Sequence, residues 1–186
     1  MKPTKNSTTI PNYRNPNANK GGEQLPIQSL RINYVVGIDP DIERSGLAVW
    51  SRIKRQHTFI DAVDFYTLIQ NLLLVKPGEA LFRVDAGWLN AGFHHAAGLP
   101  DNFETWTVES KLAYYFKLGV QVGRNFGVGQ AIVQLLVTIH GADNVKEVRP
   151  MPKNPKWSAA DLKRYTGWEG RTNPDSRDAA KLCFQF

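Results

Sequence analysis

The sequence predicts a mixed α/β fold. Three apolar runs with short links come first, which indicates an antiparallel meander of strands. Segments whose apolar residues recur at helical spacing then alternate with two further apolar runs, and the predicted order is βββ-α-β-α-β-α-α. The chain has 186 residues and an apolar fraction of 42%, so we expect one domain with its own core and no room for two ordinary domains.

The first half of the chain supplies four of the predicted strands and one helix. Asp64 has the position of an N-cap for a helix over 65–75, which the segment 76–78, Lys-Pro-Gly, ends. Residues 1–30 are rich in Asn, Pro, Thr and Lys without periodicity, so we expect a flexible, basic N-terminal tail before a folded domain over 31–186. The four predicted strands cover residues 33–39, 47–51, roughly 57–63, and 80–85.

The second half of the chain is predicted to hold one strand and three helices. Residues 86–108 form a long polar loop, and a helix follows over about 110–140. The last strand is Val145–Val148, after which Ser158 caps a short helix and Pro174 opens the final segment to residue 186. Three glycines are candidate break points in the long helix: Gly119, Gly123 and Gly127.

Two sets of apolar residues have two interpretations each. The face of the long helix that carries Leu112, Tyr115, Phe116, Gly119 and Val122 is either part of the core or the surface that meets a second copy of the chain. The aromatic residues of the long loop, Trp88 and Phe93, either pack the loop onto the core or form a wedge that parts bases.

Composition limits the classes of protein that the chain can belong to. The net charge of +6 favours a polyanionic partner, most often nucleic acid. The single cysteine, Cys183, lies between apolar residues and is expected to be a small buried hydrophobe, so no disulfide argues for secretion. The chain shows neither a signal peptide nor the roughly 20 apolar residues of a membrane helix, so we expect a soluble intracellular protein without a membrane partner.

Four aspartates occupy positions that suit a site for two metal ions. Asp39 ends the first predicted strand and Asp85 ends the fourth, while Asp175 and Asp178 lie three residues apart and share one face of the final helix. Acids at strand ends and on the first turns of a helix can converge on one point. The alternative for the helical pair is that both acids simply favour the helix N-terminus electrostatically.

The convergence of four carboxylates requires cations. Two like charges about 4 Å apart repel by about 4 kcal/mol at an effective dielectric constant of 20. Two Mg²⁺ ions about 3.5–4 Å apart would neutralise them, activate a water molecule and stabilise the leaving 3′ oxygen of a phosphodiester. We therefore predict that all four aspartates are catalytic metal ligands, that Mn²⁺ can replace Mg²⁺, and that Asp39, which can bridge both ions, is the most sensitive position.

A basic stretch precedes the acidic pair. Its cations alternate with Trp157, Tyr165 and Trp168, a mixture that suits phosphate contacts together with stacking on unpaired bases. The alternative is a solvated helix face whose aromatic residues turn into the core. The predicted DNA-binding residues are Lys153, Lys156, Lys163, Arg164 and Arg171.

Several short motifs occur in a fixed order over about residues 33–183. They are Gly37-Ile38-Asp39-Pro40 followed by Ser45-Gly46-Leu47-Ala48, the Gly-rich Gly123-Arg124-Asn125-Phe126-Gly127-Val128, Val148-Arg149-Pro150, Thr166-Gly167-Trp168, and Arg171-Thr172-Asn173 leading into Arg177-Asp178-Ala179-Ala180. The ordered set resembles the RuvC-type Holliday junction resolvases of the ribonuclease H-like superfamily, in the version found in phage and mobile-element relatives.

The resemblance implies a ribonuclease H-like domain over 31–186 with a mixed five-stranded sheet, three antiparallel strands and then two parallel ones, flanked by helices. It also implies the activity of a metal-dependent, structure-selective endodeoxyribonuclease that cuts Holliday junctions or other branched DNA in recombination and repair. A two-fold symmetric junction is cut at two symmetric sites, so a homodimer is expected. The phage-type match implies the cytoplasm of a bacterial host cell or association with its nucleoid.

The resemblance assigns the four acids one by one. Asp39 takes the place of the first-strand aspartate, and Asp175 and Asp178 match the paired C-terminal acids. Asp85 stands where the family usually carries a glutamate at the end of the fourth strand. Asp41 replaces the family's usual glycine; of two interpretations, a spare outer-shell acid and a solvated turn residue, we prefer the turn residue.

The resemblance also implies a catalytic lysine. Lys163 best matches a family lysine in this region, and Lys156 is its competitor. Arg177 either pairs with one of the neighbouring acids or touches DNA. The competing function is a non-catalytic DNA-binding protein with the same fold, because the shorter side chain of Asp85 leaves room for an incomplete metal site.

Overall fold

The computed structural model describes residues 32–90, 99–151 and 155–186. The predicted tail over 1–30 lies outside the described residues, as do Phe93 and Lys153. The described residues form one five-stranded mixed sheet with four α-helices, so the predicted α/β class is confirmed. The order of elements is the predicted βββ-α-β-α-β-α-α.

The helices and strands lie close to their predicted positions. The long helix runs without a break from Val108, capped by the Thr107 side chain, so none of the three glycines interrupts it. Two 3₁₀ turns, Gly87–Leu89 and Phe103–Thr105, lie within the predicted long loop. The strands are β1 (Tyr34–Asp39), β2 (Ser45–Ser51), β3 (Gln56–Val63), β4 (Ala80–Asp85) and β5 (Val145–Val148), and the helices are α1 (Phe65–Leu74), α2 (Val108–His140), α3 (Ala159–Thr166) and α4 (Pro174–Cys183).

The sheet has the strand order β3-β2-β1-β4-β5. The first three strands pair antiparallel, whereas β4 pairs parallel to β1 and β5 pairs parallel to β4. In the β1–β4 ladder Ile38 lies beside Val84, so the next residues, Asp39 and Asp85, leave neighbouring strands at the same edge of the sheet. The Ala86 N–H donates to the carbonyl of Val148 at 2.9 Å, which ties the end of β4 to the end of β5.

Helices cover both faces of the sheet. On one face α1 and α2 pack Leu68, Leu72, Ile132 and Leu136 around the buried ring of Phe82. On the other face α4, joined by Leu162 of α3, packs its small residues against the sheet. The residues of the second cluster are Val35, Ala48, Trp50, Ile60, Leu162, Ala179, Ala180 and Cys183, in which Cys183 is fully buried as predicted.

Gly37 sets the closeness of α4 to the sheet. A Cβ atom at this position of β1 would overlap the backbone carbonyl of Ala179 and press on the sulfur of Cys183. Any larger residue would therefore lift α4 off the strands. The start of α4 is held near the end of β1 as a result, which is where Asp39 lies.

None of the helices in the described ranges combines the length and the apolar character that a membrane span requires.

Candidate functional site

A pocket of about 160 Å³ opens at the edge of the sheet where β1 and β4 end. Asp39 and Asp85 line it from the strand ends, and Asp175 lines it from the first turn of α4. The Lys156 side chain reaches the same pocket from the segment before α3. Three of the four predicted acids therefore line one pocket.

The carboxyl groups of Asp39 and Asp85 both have raised pKa values. The pKa of Asp39 is raised well above its ordinary value by burial, by Asp85 and then by Asp178. Burial, followed by the charge of Asp178, raises the pKa of Asp85 to about 6. In addition, Oδ1 of Asp85 is buried and accepts no hydrogen bond from the described residues. The fourth acid, Asp178, thus acts on both strand-end acids, as the prediction of a converging set requires.

The start of α4 presents the other two acids. Asn173 caps the helix, its Oδ1 accepting from the Ser176 N–H at 2.8 Å, and Pro174 occupies the first helical position. The pKa of Asp175 is raised by burial and by the charge of Asp41. Asp175 lies in the first turn of α4 and also lines the pocket, so the charge of the helix N-terminus is not its whole environment.

Lys156 supplies positive charge to the acidic pocket. Its ammonium nitrogen lies 2.5 Å from Oδ2 of Asp178, whose side chain is only 13% exposed. Burial alone would lower the pKa of Lys156, but the hydrogen bond and charge of Asp178 raise it, aided by Asp39. Among the described residues that line the pocket, Lys156 is therefore the one cation against several carboxylates.

The other predicted cations that the structure describes lie away from the pocket. Lys163 is exposed and pairs with Glu169 at 2.8 Å, and Arg164 pairs with Asp161 at 3.1 Å. Arg171 is also exposed, in the segment before α4. Of the described lysines in the basic stretch, Lys156 has the position that a catalytic lysine needs, and this geometry favours it over Lys163.

The aromatic residues of the basic stretch divide between core and surface. Trp157 and Trp168 are half-buried and pack against the second core cluster, so the core interpretation applies to both. Tyr165 is 48% exposed, with the Arg164 guanidinium 4.6 Å from its ring centre. Trp88 packs beside the pocket against the core residues that surround Phe82, and its Nε1 donates to Oε2 of Glu147 at 2.7 Å.

The pocket also contains two residues that the predicted site did not include. Asp41, interpreted as a solvated turn residue, lines the pocket, and its Oδ2 accepts a hydrogen bond from Nδ2 of Asn125 at 2.7 Å. Asn125 belongs to the Gly-rich part of α2, and its Oδ1 accepts from the Ile42 N–H at 3.2 Å. The sequence feature that could have placed Asp41 in the site is its departure from the expected glycine, because an acid at this position adds negative charge to the site.

The face of α2 around its first turns is not part of the core. Leu112, Tyr115 and Phe116 are exposed, so the core interpretation is wrong for these three residues. Val122 alone of the apolar side chains on that face is buried.

The chemistry of the donor set fits a hard divalent cation. All four predicted ligands are carboxylates, the groups that Mg²⁺ and Mn²⁺ prefer, and one buried oxygen of Asp85 has no partner among the described residues. Within the same residues, however, no three His, Cys, Asp or Glu side chains are placed closely enough to form a complete ligand set for one ion. The ion pair between Lys156 and Asp178 occupies part of this space.

Comparison with known proteins gives no match to a family model, to a curated protein or to a solved structure.

Proposed function

We propose that the protein is a metal-dependent, structure-selective endodeoxyribonuclease with a ribonuclease H-like fold, which cuts Holliday junctions or other branched DNA. The observation that carries the proposal is the convergence of Asp39, Asp85 and Asp175 on one pocket, from the ends of two neighbouring strands and from the first turn of α4. The mixed five-stranded sheet between two helical layers agrees with the architecture that the RuvC resemblance implies.

Asp39, Asp85, Asp175 and Asp178 hold two Mg²⁺ ions in this proposal, and Mn²⁺ can replace them. When bound, the ions supply the positive charge that activates the attacking water and stabilises the leaving 3′ oxygen. The acids are suited to this role because burial and the charges of neighbouring acids keep the pKa values of Asp39, Asp85 and Asp175 raised. Divalent cations neutralise the repulsion between these charges. Binding of the ions therefore stabilises the folded protein.

Lys156 contributes a mobile positive charge. Asp178 holds its ammonium at the pocket, and 69% of the lysine side chain is exposed, so the group can turn from the carboxylate to a phosphate oxygen of the DNA. The remaining cations of the basic stretch, Lys163, Arg164 and Arg171, are exposed and contact the phosphates of the DNA arms. The predicted phosphate contact of Lys153 falls outside the described residues.

Cutting a symmetric junction at two sites requires two active sites, and a homodimer supplies one from each copy. One stripe of α2 carries exposed apolar side chains at intervals of four residues, with Phe116 74% exposed. Residues four apart lie on one helix face, so the stripe is continuous. Its members are Val108, Leu112, Phe116 and Val120. The proposed dimer buries this stripe between two copies and so places two active sites on one symmetric junction.

A second candidate function is a DNA-binding protein of the same fold without catalysis. The observation that favours it is the lack, within the described residues, of three acid, His or Cys side chains gathered around one ion position. Under this alternative, Lys156 remains paired with Asp178, and the basic surface alone binds DNA.

Cleavage of a panel of synthetic DNAs separates the two functions. The panel contains a four-way junction, a flap, a fork and a linear duplex, each with Mg²⁺, with Mn²⁺ or with a chelator. The nuclease predicts metal-dependent nicking of one or more branched DNAs and little cleavage of the duplex. Binding of branched DNA without cleavage under any metal condition would contradict the nuclease and support the non-catalytic alternative.

A further inference from the structure

Two cationic residues of α4, Arg177 and Lys181, donate hydrogen bonds to the backbone of the segment that carries Lys156. The Arg177 guanidinium donates from Nε to the carbonyl oxygen of Trp157 at 2.8 Å and from Nη1 to that of Thr172 at 3.3 Å. Nζ of Lys181 donates to the carbonyl oxygen of Pro155 at 2.5 Å. The residues on both sides of Lys156 are therefore anchored to the same helix.

The spacing along α4 explains how one helix does this. Arg177 and Lys181 are four residues apart and lie on one face of the helix. Asp178 follows Arg177 directly and so points in a different direction, where it meets the Lys156 ammonium at 2.5 Å. One helix thus supplies both the carboxylate that pairs with Lys156 and the cations that hold the backbone of Lys156 in place.

The anchoring matters because Lys156 cannot be positioned by its own side chain. A lysine side chain has large rotational freedom, and most of this one is exposed. Arginine suits the anchoring role because its planar fork directs two donors at fixed angles, here at two backbone carbonyls from different segments. Both alternatives considered for Arg177, pairing with a neighbouring acid and contact with DNA, leave these two bonds unexplained.

We propose that Arg177 is a positioning residue that acts through Lys156, with Lys181 as the second anchor of the segment 155–157. The anchoring itself stands on the hydrogen bonds of α4, and its catalytic consequence rests on the proposed nuclease function. Arg177 does not touch the substrate in this mechanism. It sets where the Lys156 ammonium lies relative to Asp178.

Limited trypsin digestion tests the anchoring without any need for activity. Trypsin cuts after Lys156, and the exposed turn between β2 and β3 supplies an internal reference at Arg55. We expect Arg177→Ala to raise the ratio of cleavage after Lys156 to cleavage after Arg55 by about tenfold, the change that corresponds to the loss of one charged hydrogen bond. Arg177→Lys, which keeps the charge on a single donor nitrogen, should give an intermediate ratio, and Lys181→Met should also raise the ratio.

The matched control is Arg44→Ala, which removes another arginine that donates to a backbone carbonyl, that of Ala62. This control should leave the ratio unchanged. Urea denaturation of each variant separates a general loss of stability from local release of the segment 155–157, because only the general loss lowers the free energy of unfolding of the whole domain. An unchanged ratio in Arg177→Ala would overturn the anchoring.

A double-mutant cycle then tests the link to Lys156. Rates of junction cleavage are compared in the wild type, Lys156→Ala, Arg177→Ala and the double variant. We expect Arg177→Ala to lower kcat by about tenfold with little change in KM, and to cause no further loss in the Lys156→Ala background. Equal losses in both backgrounds would show that Arg177 acts independently of Lys156 and would overturn the positioning role. If no protein cleaves DNA, the nuclease proposal fails, while the trypsin ratio still decides the anchoring.

Discussion

Gly46 of β2 lies directly against the backbone carbonyl of Asp175 at the start of α4. A Cβ atom on Gly46 would overlap that oxygen and would also approach the peptide nitrogen of Ser176 too closely. Across the β1–β2 ladder Gly46 pairs with Asp39. The absence of a side chain at Gly46 therefore sets how near the acids of α4 come to the acid at the end of β1.

Gly46→Ala should separate the acids and destabilise the protein. The added methyl group meets rigid backbone, so α4 must shift, and we expect the free energy of unfolding to fall by about 1–3 kcal/mol. Urea denaturation measures the loss, and metal-dependent cleavage should fall with it. The control is Gly119→Ala, where a Cβ meets nothing within 4 Å and the helix should gain about 0.5–1 kcal/mol. Equal stability of Gly46→Ala and the wild type would contradict the close contact.

Asp39→Asn should abolish cleavage and leave junction binding largely intact. Asparagine keeps the shape of the side chain but removes the charge that holds the cations, and a bound metal ion contributes several kcal/mol to phosphodiester hydrolysis. We expect kcat to fall by at least about a hundredfold. Gel-shift titration should give the same junction affinity within about threefold. Simultaneous loss of cleavage and binding, with the fold retained, would contradict the assignment.

The titration of Asp85 should make stability depend on pH when metal is absent. Its pKa is raised to about 6, mainly by burial and then by Asp178, above the ordinary value of 3.8. A carboxyl with a raised pKa in the folded state favours folding while protonated, so stability should fall as the pH rises from about 4 to about 6. Above pH 6 the free energy of unfolding should stay lower than at pH 4, by on the order of 2 kcal/mol.

The neutral variant Asp85→Asn isolates this effect. In the presence of a chelator, its free energy of unfolding should match that of the wild type near pH 4 and exceed it at pH 7. Urea denaturation at several pH values provides the comparison. A difference between the two proteins that does not change with pH would refute the titration, and saturating Mg²⁺ should reduce the advantage of the variant at pH 7.

A charge on the exposed stripe of α2 should dissociate the proposed dimer. Phe116→Glu introduces a carboxylate that cannot be buried between two copies without a partner, so sedimentation should show a monomer. Tyr66→Glu places the same change on another exposed aromatic residue, 71% exposed on α1, and should leave the mass unchanged. A wild-type protein that is monomeric at all concentrations would exclude the dimer.

Local sequence patterns were enough to predict the order of the elements and the ends of β1 and β4. The apolar runs stop at Asp39 and Asp85, and the capping residues Asp64 and Ser158 begin α1 and α3 as expected. Periodicity did not show what covers an apolar face, which is why the face around Phe116 was wrongly considered for the core. An apolar stripe has the same spacing whether the chain itself or another molecule covers it.

The parts of the site that depend on long-range contacts were not predictable from local patterns. The hydrogen bond between Asn125 and Asp41 joins residues 84 positions apart. Which lysine lies at the pocket, Lys156 or Lys163, depends on the hydrogen bond by which Arg177 of α4 holds the backbone before α3. Neither contact can be predicted from the spacing of residues in the sequence, because the whole fold has to bring the two segments together.

The proposed reaction depends on cation binding, which calorimetric titration with Mn²⁺ measures. Electron paramagnetic resonance checks the number of bound ions. Wild-type protein should bind two ions per chain. Asp39→Asn should lose them, while Asp143→Asn, an exposed aspartate next to β5, should bind as the wild type does. Failure of the wild type to bind Mn²⁺, or equal binding by Asp39→Asn, would contradict a metal site built from Asp39, Asp85, Asp175 and Asp178.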